Sequence, residues 1–141
     1  MFLGEYQHSL DVKGRVILPA RFREQLADGA VLTSEVDGCL AVWTPAEFQV
    51  RAAEMNELRR RGAAGRDVAR VFFAGAVDAT PDRQGRVAIP QHLREFAGLE
   101  RDVIINGSFD HLEVWSAERW SDKKAEGIRA LAEGREAVGS G

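Results

Sequence analysis

Two short stretches of this sequence hold the residue types that do recognition chemistry: Asp11-Val12-Lys13-Gly14-Arg15-Val16 and Asp82-Arg83-Gln84-Gly85-Arg86-Val87. In each, an aspartate stands four positions before an arginine, and a glycine directly precedes the arginine. Glycine supplies the positive φ of a tight turn and aspartate bonds its own following backbone, so carboxylate and guanidinium can meet across the turn. Two roles are then open to the arginine. It fixes the turn as a structural partner, or its guanidinium projects to a phosphate or a guanine edge, and the two copies can divide these roles. Around the first motif, between positions 11 and 26, four basic residues (Lys13, Arg15, Arg21, Arg23) face two acidic ones (Asp11, Glu24). Their counterparts in the second copy are Gln84, Arg86, His92 and Arg94, so the first copy is expected to bind phosphate better. The competing reading of Arg21 and Arg23 is the solvated face of a short helix.

Other chemistry is scarce. His8, His92 and His111 are isolated, with no metal-ligand spacing, no Gly-x-Ser-x-Gly elbow, no Gly-x-Gly-x-x-Gly and no P-loop. Cys39 is the one cysteine, which excludes an intrachain disulfide and a cysteine-built zinc site and suits a reducing compartment. No enzyme, cofactor, metal or small-molecule substrate is expected. Trp43 and Trp115 occupy equivalent places and read as core anchors, and Asp110-His111 as part of a hairpin turn. Arg59-Arg60-Arg61 reads as a helix end complementing the backbone dipole.

The elements that must position these residues come from a duplication. Residues 11–26 set over 82–97 give seven identities in sixteen positions without a gap. Upstream, Phe2-Leu3-Gly4 falls on Phe73-Ala74-Gly75; downstream, Leu40 to Thr44 falls on Leu112 to Ser116, and Phe48 on Trp120. Each unit reads as a strand (Phe2–Ser9), the Asp-to-Gly turn, a returning β-branched strand (Arg15–Leu18), a short helix opened by Pro19, and a second hairpin around Val36-Asp37-Gly38. Thr44-Pro45-Ala46-Glu47 then forms a capping box opening a helix with Phe48, Ala52 and Met55 on one stripe, stopped by Gly62. Gly62 to Gly65 reads as a mobile linker, and the second unit repeats the pattern from Phe72 to Trp120. The expected domains are therefore 1–62 and 72–120, followed by a weak helix and disordered tail over 121–141. A unit this small cannot hide its strand edges alone. The two are expected to interlock about a pseudo-two-fold axis, each giving hairpins to a shared barrel.

The chain has 141 residues, 45% of them hydrophobic, a net charge of −3 and a sequence pI near 5.7. That suffices for a core, and no apolar run approaches the ~20 residues of a membrane span. No secretory leader is read at Met1–Glu5, so a cytoplasmic location is expected. An acidic balance argues against a nucleic-acid partner unless charge is concentrated locally.

The run Met1 to Val16 with Leu18-Pro19-Ala20-Arg21-Phe22-Arg23, together with Asp82-x-x-Gly85-Arg86-Val87-x-Ile89-Pro90-x-x-Leu93-Arg94 and Leu112-Glu113-Val114-Trp115, resembles the MraZ family of bacterial transcriptional regulators over residues 1 to about 120. The resemblance implies an α+β, mainly β fold: two swapped-hairpin β-barrel units of the AbrB and SpoVT type, packed as a pseudo-dimer within one chain. It implies a ring-shaped homo-oligomer, nucleoid-associated in the cytoplasm, that binds double-stranded DNA at short direct repeats. Those repeats lie upstream of the division and cell-wall gene cluster, including the regulator's own gene. By motif match Arg15 is the leading DNA contact, with Asp11, Lys13 and Arg86 beside it and Arg21 and Arg23 flanking. A ring also answers the acidic pI, since protomers on successive repeats gain ~10²–10⁴ in avidity. The alternative reading is an antitoxin-like scaffold of the same barrel type that binds another protein.

Overall fold

The computed structural model describes residues 1–134; the tail expected to be disordered lies, from position 135 on, outside the described residues. Eight strands form among the described residues: β1 (Glu5–Ser9), β2 (Arg15–Ile17), β3 (Val31–Ser34), β4 (Leu40–Trp43), β5 (Val77–Asp78), β6 (Arg86–Ala88), β7 (Asp102–Gly107) and β8 (Leu112–Ser116). Five α-helices accompany them among the described residues: α1 (Ala20–Leu26), α2 (Pro45–Glu57), α3 (Ala63–Gly75), α4 (Gln91–Ala97) and α5 (Ala117–Ala132). The class is α+β, with an antiparallel sheet in the order β1-β7-β8-β4-β3-β5 and a separate ribbon of β2 with β6. The sheet is open, with β1 and β5 at its edges, and no closed barrel forms among the described residues.

The halves keep one hairpin each, β3 with β4 and β7 with β8, and exchange the other pairings. β1 pairs with β7, β2 with β6, β3 with β5 and β4 with β8, each crossing from one copy to the other. In the ribbon Val16 faces Val87, flanked by Arg15 opposite Ala88 and Ile17 opposite Arg86. In the sheet Ala41 faces Glu113, flanked by Leu40 opposite Val114 and Val42 opposite Leu112. Both registers exchange onto themselves under the sequence repeat, which places a pseudo-two-fold axis through these two pairs. The main core is shared: Val16, Leu18, Phe22, Leu26, Leu32, Leu40 and Val42 of the first copy pack with Val87, Ile89, Leu93, Ala97, Val103, Ile105 and Leu112 of the second, and a smaller cluster of Cys39 with Ile104 and Trp115 also spans both copies.

Three local expectations are corrected. The strands flanking the Asp11 turn do not pair with each other; beyond the turn each finds a partner in the other copy. Gly62 to Gly65 is no linker: Gly62, at φ +97°, caps α3, which runs on through Phe72 and Phe73 where a strand was expected. The helix is favoured because it seats Phe72 against Phe48 of α2, rings 6.2 Å apart, and buries Ala69. The C-terminal helix, finally, is a sixteen-residue element from Ala117, capped by Ser116 Oγ accepting the Arg119 N–H at 3.0 Å. The Thr44 cap of α2 forms as read, with Thr44 Oγ1 accepting the Glu47 N–H at 3.2 Å.

Candidate nucleic-acid interface

The two Asp-to-Arg turns are built alike. Asp11 Oδ1 accepts the N–H groups of Lys13 and Arg15, both at 2.9 Å, and Oδ2 accepts Arg15 Nε at 2.7 Å. Asp82 does the same with Gln84 and Arg86 at 2.9 Å each and with Arg86 Nε at 2.8 Å. Gly14 and Gly85 stand at φ +77° and +78°, where a Cβ is strained. The Arg15 N–H bond, with the Arg15 guanidinium and the Lys13 N–H behind it, outweighs the small cost of burial and lowers the Asp11 pKa; Asp82 is lowered by its equivalents. Both carboxylates are charged at neutral pH, and both turns hold until the pH falls below about 3.9 toward their lowered values.

Each bond to aspartate uses only Nε. Among the described residues no partner engages the terminal Nη groups of Arg15 or Arg86, whose side chains are half-buried. The aspartate therefore orients the guanidinium while leaving its outer fork free. Along the ribbon Val16 and Val87 face the core, so Arg15, Ile17, Arg86 and Ala88 share the outer face. The result is a two-stranded ribbon with arginine forks on one diagonal and the apolar side chains of Ile17 and Ala88 on the other. Such a ribbon fits the major groove, where forks match guanine O6 and N7 or phosphate and apolar groups meet thymine methyls.

The remaining sequence candidates separate here. Lys13 is exposed at the tip of the first turn. Arg21 lies on α1, with Nη1 donating to the Tyr6 hydroxyl at 2.9 Å and its guanidinium 5.4 Å from the centre of the Phe22 ring. Arg23 turns inward and donates Nε to Leu18 O at 3.1 Å. Position-by-position comparison misses Arg83: it is exposed at the tip of the second turn, one residue ahead of Gln84. Each turn thus carries one tip cation and one oriented arginine. The Arg59 to Arg61 run sits between α2 and α3, with Arg59 donating to Asn56 Oδ1 at 2.9 Å, and is not part of the ribbon.

A second polar cluster stands at the β7–β8 turn. His111 stacks on Trp43 with ring centres 4.3 Å apart, and its nitrogens lie 2.6 Å from Asp110 and 3.3 Å from Glu113. Burial works against a charged imidazole, but hydrogen bonds to Glu113 and Asp110 outweigh it and the His111 pKa is raised. A raised value in the folded state means stabilisation complete below about pH 6.5 and lost as the pH climbs through the raised value. In urea unfolding, the stability lead of the wild type over His111→Gln is expected to narrow from pH 6 to pH 8; a lead that does not change with pH would remove His111 from the pH dependence. Cys39 is buried, and its thiol is pushed far up by burial and then by Glu113, Glu35 and Asp37, which makes it an unreactive packing residue.

A duplicated, strand-exchanged α+β chain with paired Asp-to-Arg turns on a ribbon is the class this architecture defines. Both halves, residues 1–71 and 72–137, match the family model described as MraZ protein, a family proposed to be antitoxin-like. The chain is 44% identical over 136 residues to the transcriptional regulator MraZ of Heliobacterium modesticaldum, covering 94% of this chain and 95% of that protein. It is 44% identical over 138 residues to the regulator of the same name from Micrococcus luteus, covering 98% and 96%. To that of Acetivibrio thermocellus it is 47% identical over 120 residues, covering 85% and 84%. The chain belongs to the MraZ family.

Proposed function

We propose that this protein is a sequence-specific DNA-binding transcriptional regulator that acts without a cofactor or catalytic step. The observation that carries this reading is the β2–β6 ribbon, whose outer face presents the free forks of Arg15 and Arg86 with Lys13 and Arg83 at the flanking tips. The names of its relatives as transcriptional regulators support it. Its targets are tandem direct repeats upstream of the division and cell-wall gene cluster, its own promoter included, and it works in the cytoplasm at the nucleoid. No helix among the described residues is long and apolar enough to cross a membrane. The crossed pairing of β2 with β6 supports treating residues 1–62 and 72–120 as two swapped-hairpin units of the AbrB type, paired within one chain.

Repeated targets call for a repeated protein, and the proposed partner is a second copy arranged head to tail in a ring. Two unlike surfaces support this. An apolar groove is lined by Val36, Val68, Val71 and Phe96 together with Asp37 and Asp67, which pair with Lys123 and Arg70, while α5 ends with Ile128 and Leu131 exposed beside Arg129. Unlike surfaces that meet head to tail close into rings. The test is fluorescence anisotropy with a duplex carrying tandem promoter repeats against the same duplex shuffled, with light scattering on both mixtures. A preference for the repeats and a mass several times the 15.5 kDa chain support the reading; equal affinity for the shuffled duplex overturns the specificity, and a monomer in both mixtures overturns the ring.

A further inference from the structure

Arg23 and Arg94 occupy equivalent places in the two short helices, and for Arg23 the sequence offered either a DNA contact or a solvated face. Their surroundings are different. Arg23 Nε donates to Leu18 O at 3.1 Å, and Arg94 Nη1 donates to Ile89 O. The same two residues hold the opposite turns by their amides: Leu18 N–H donates to Gly85 O, and Ile89 N–H to Gly14 O, both at 2.9 Å. The guanidinium groups complete the circuit. A Cβ added to Gly85 would overlap the Arg23 guanidinium, and one added to Gly14 would overlap that of Arg94. Each arginine therefore fills the space over the turn glycine of the other copy, while bonding the carbonyl of the residue whose amide grips that glycine.

We propose that Arg23 and Arg94 are positioning residues that set the two DNA-reading turns across the halves, Arg94 holding the Asp11–Arg15 turn and Arg23 the Asp82–Arg86 turn. This rests on the ribbon being the DNA interface. A guanidinium suits the task because it is flat, permanently charged and rigid, so it lies against a glycine face and still donates sideways to a carbonyl; an ammonium on a flexible stem does not. Glycine is required twice at positions 14 and 85, by backbone angle and by the guanidinium that takes the place of a side chain. The turns carry their own Asp-to-backbone bonds, but the ribbon behind them is only three residue pairs long. Without the crossed arginines the arms would swing. The arrangement makes each half's reading head depend on the other half's helix, so neither copy can tune its turn alone.

The test uses the full chain with Arg23→Met, Arg94→Met and the corresponding lysine variants, which retain charge and stem and keep the fold available where methionine does not. Without DNA, amide hydrogen exchange is followed at residues 13–15 and 84–86. Arg94→Met is expected to speed exchange at least tenfold at 13–15 and leave 84–86 unchanged, with Arg23→Met giving the mirror image; the lysine variants show the same crossed pattern at smaller amplitude. Equal loss at both turns, or loss confined to the turn of the mutated half, overturns the proposal. With repeat DNA, affinity is expected to fall about tenfold while the slope of log affinity against log salt is unchanged, because no phosphate contact has been removed. A slope reduced by about one would make these arginines direct phosphate ligands and overturn the positioning role. If the wild-type protein binds no duplex, the DNA reading fails, and the crossed exchange pattern still decides the clamp.

Discussion

The Arg15→Ala, Arg86→Ala double variant is expected to lose at least about 100-fold in affinity for repeat DNA while keeping its fold. A bidentate arginine on a base edge is worth about 1–3 kcal/mol of discrimination, and the outer face of one ribbon carries two. A ring engaging several repeats multiplies the loss, because avidity compounds the weakening of each ribbon. Folding is spared, since both side chains are half-exposed and Asp11 and Asp82 keep their bonds to the backbone N–H groups of Lys13, Arg15, Gln84 and Arg86. Each single variant separates the copies. Equal losses for Arg15→Ala and Arg86→Ala mean that both turns read DNA, as the matched tip cations Lys13 and Arg83 favour. A loss confined to Arg15→Ala restores the unequal reading drawn from Lys13 against Gln84. Retention of wild-type affinity in the double variant removes the ribbon from the interface. Unfolding by urea, run beside the titrations, guards against a loss that merely reports instability.

The turns were legible because they are local: an aspartate, a glycine and an arginine within five residues dictate the same hydrogen bonds wherever the strands go. The Thr44 cap was legible for the same reason. Strand partners were not. The alternation of Arg15, Val16 and Ile17 is the same whether β2 returns on β1 or crosses to β6, and only the shared core of the two halves selects β6. Composition misled at Gly62 to Gly65, where glycines suggested a linker. Tertiary packing of Phe72 on Phe48 and burial of Ala69 repay the low helix propensity of Gly65, so α3 forms. Repeat alignment misled at Phe73 as well: its counterpart Phe2 bridges to Phe109, while Phe73 itself lies in the last turn of α3. Arg83 was passed over because alignment compares position with position, whereas a phosphate senses charge anywhere on the turn tip.

Phe22→Ala is expected to be the most destabilising single truncation near the site, at about 3–5 kcal/mol. Phe22 is 1% exposed and meets the rings of Phe2 at 5.3 Å and Tyr6 at 5.6 Å, both edge-on. The space does not collapse easily, because Leu18, Leu26 and Leu93 of the same core are themselves fully buried. Typical domains have only about 5–15 kcal/mol in total, so the urea midpoint should drop by about a fifth or more. The shape of the transition carries as much information as its position. Since residues of both copies form the main core and four strand pairs join one copy to the other, fluorescence of Trp43 in one half and Trp115 in the other, read in single-tryptophan variants, should report one coincident transition. Two separated transitions would mean that each half holds its own core, and would remove the physical basis for coupling the two reading turns.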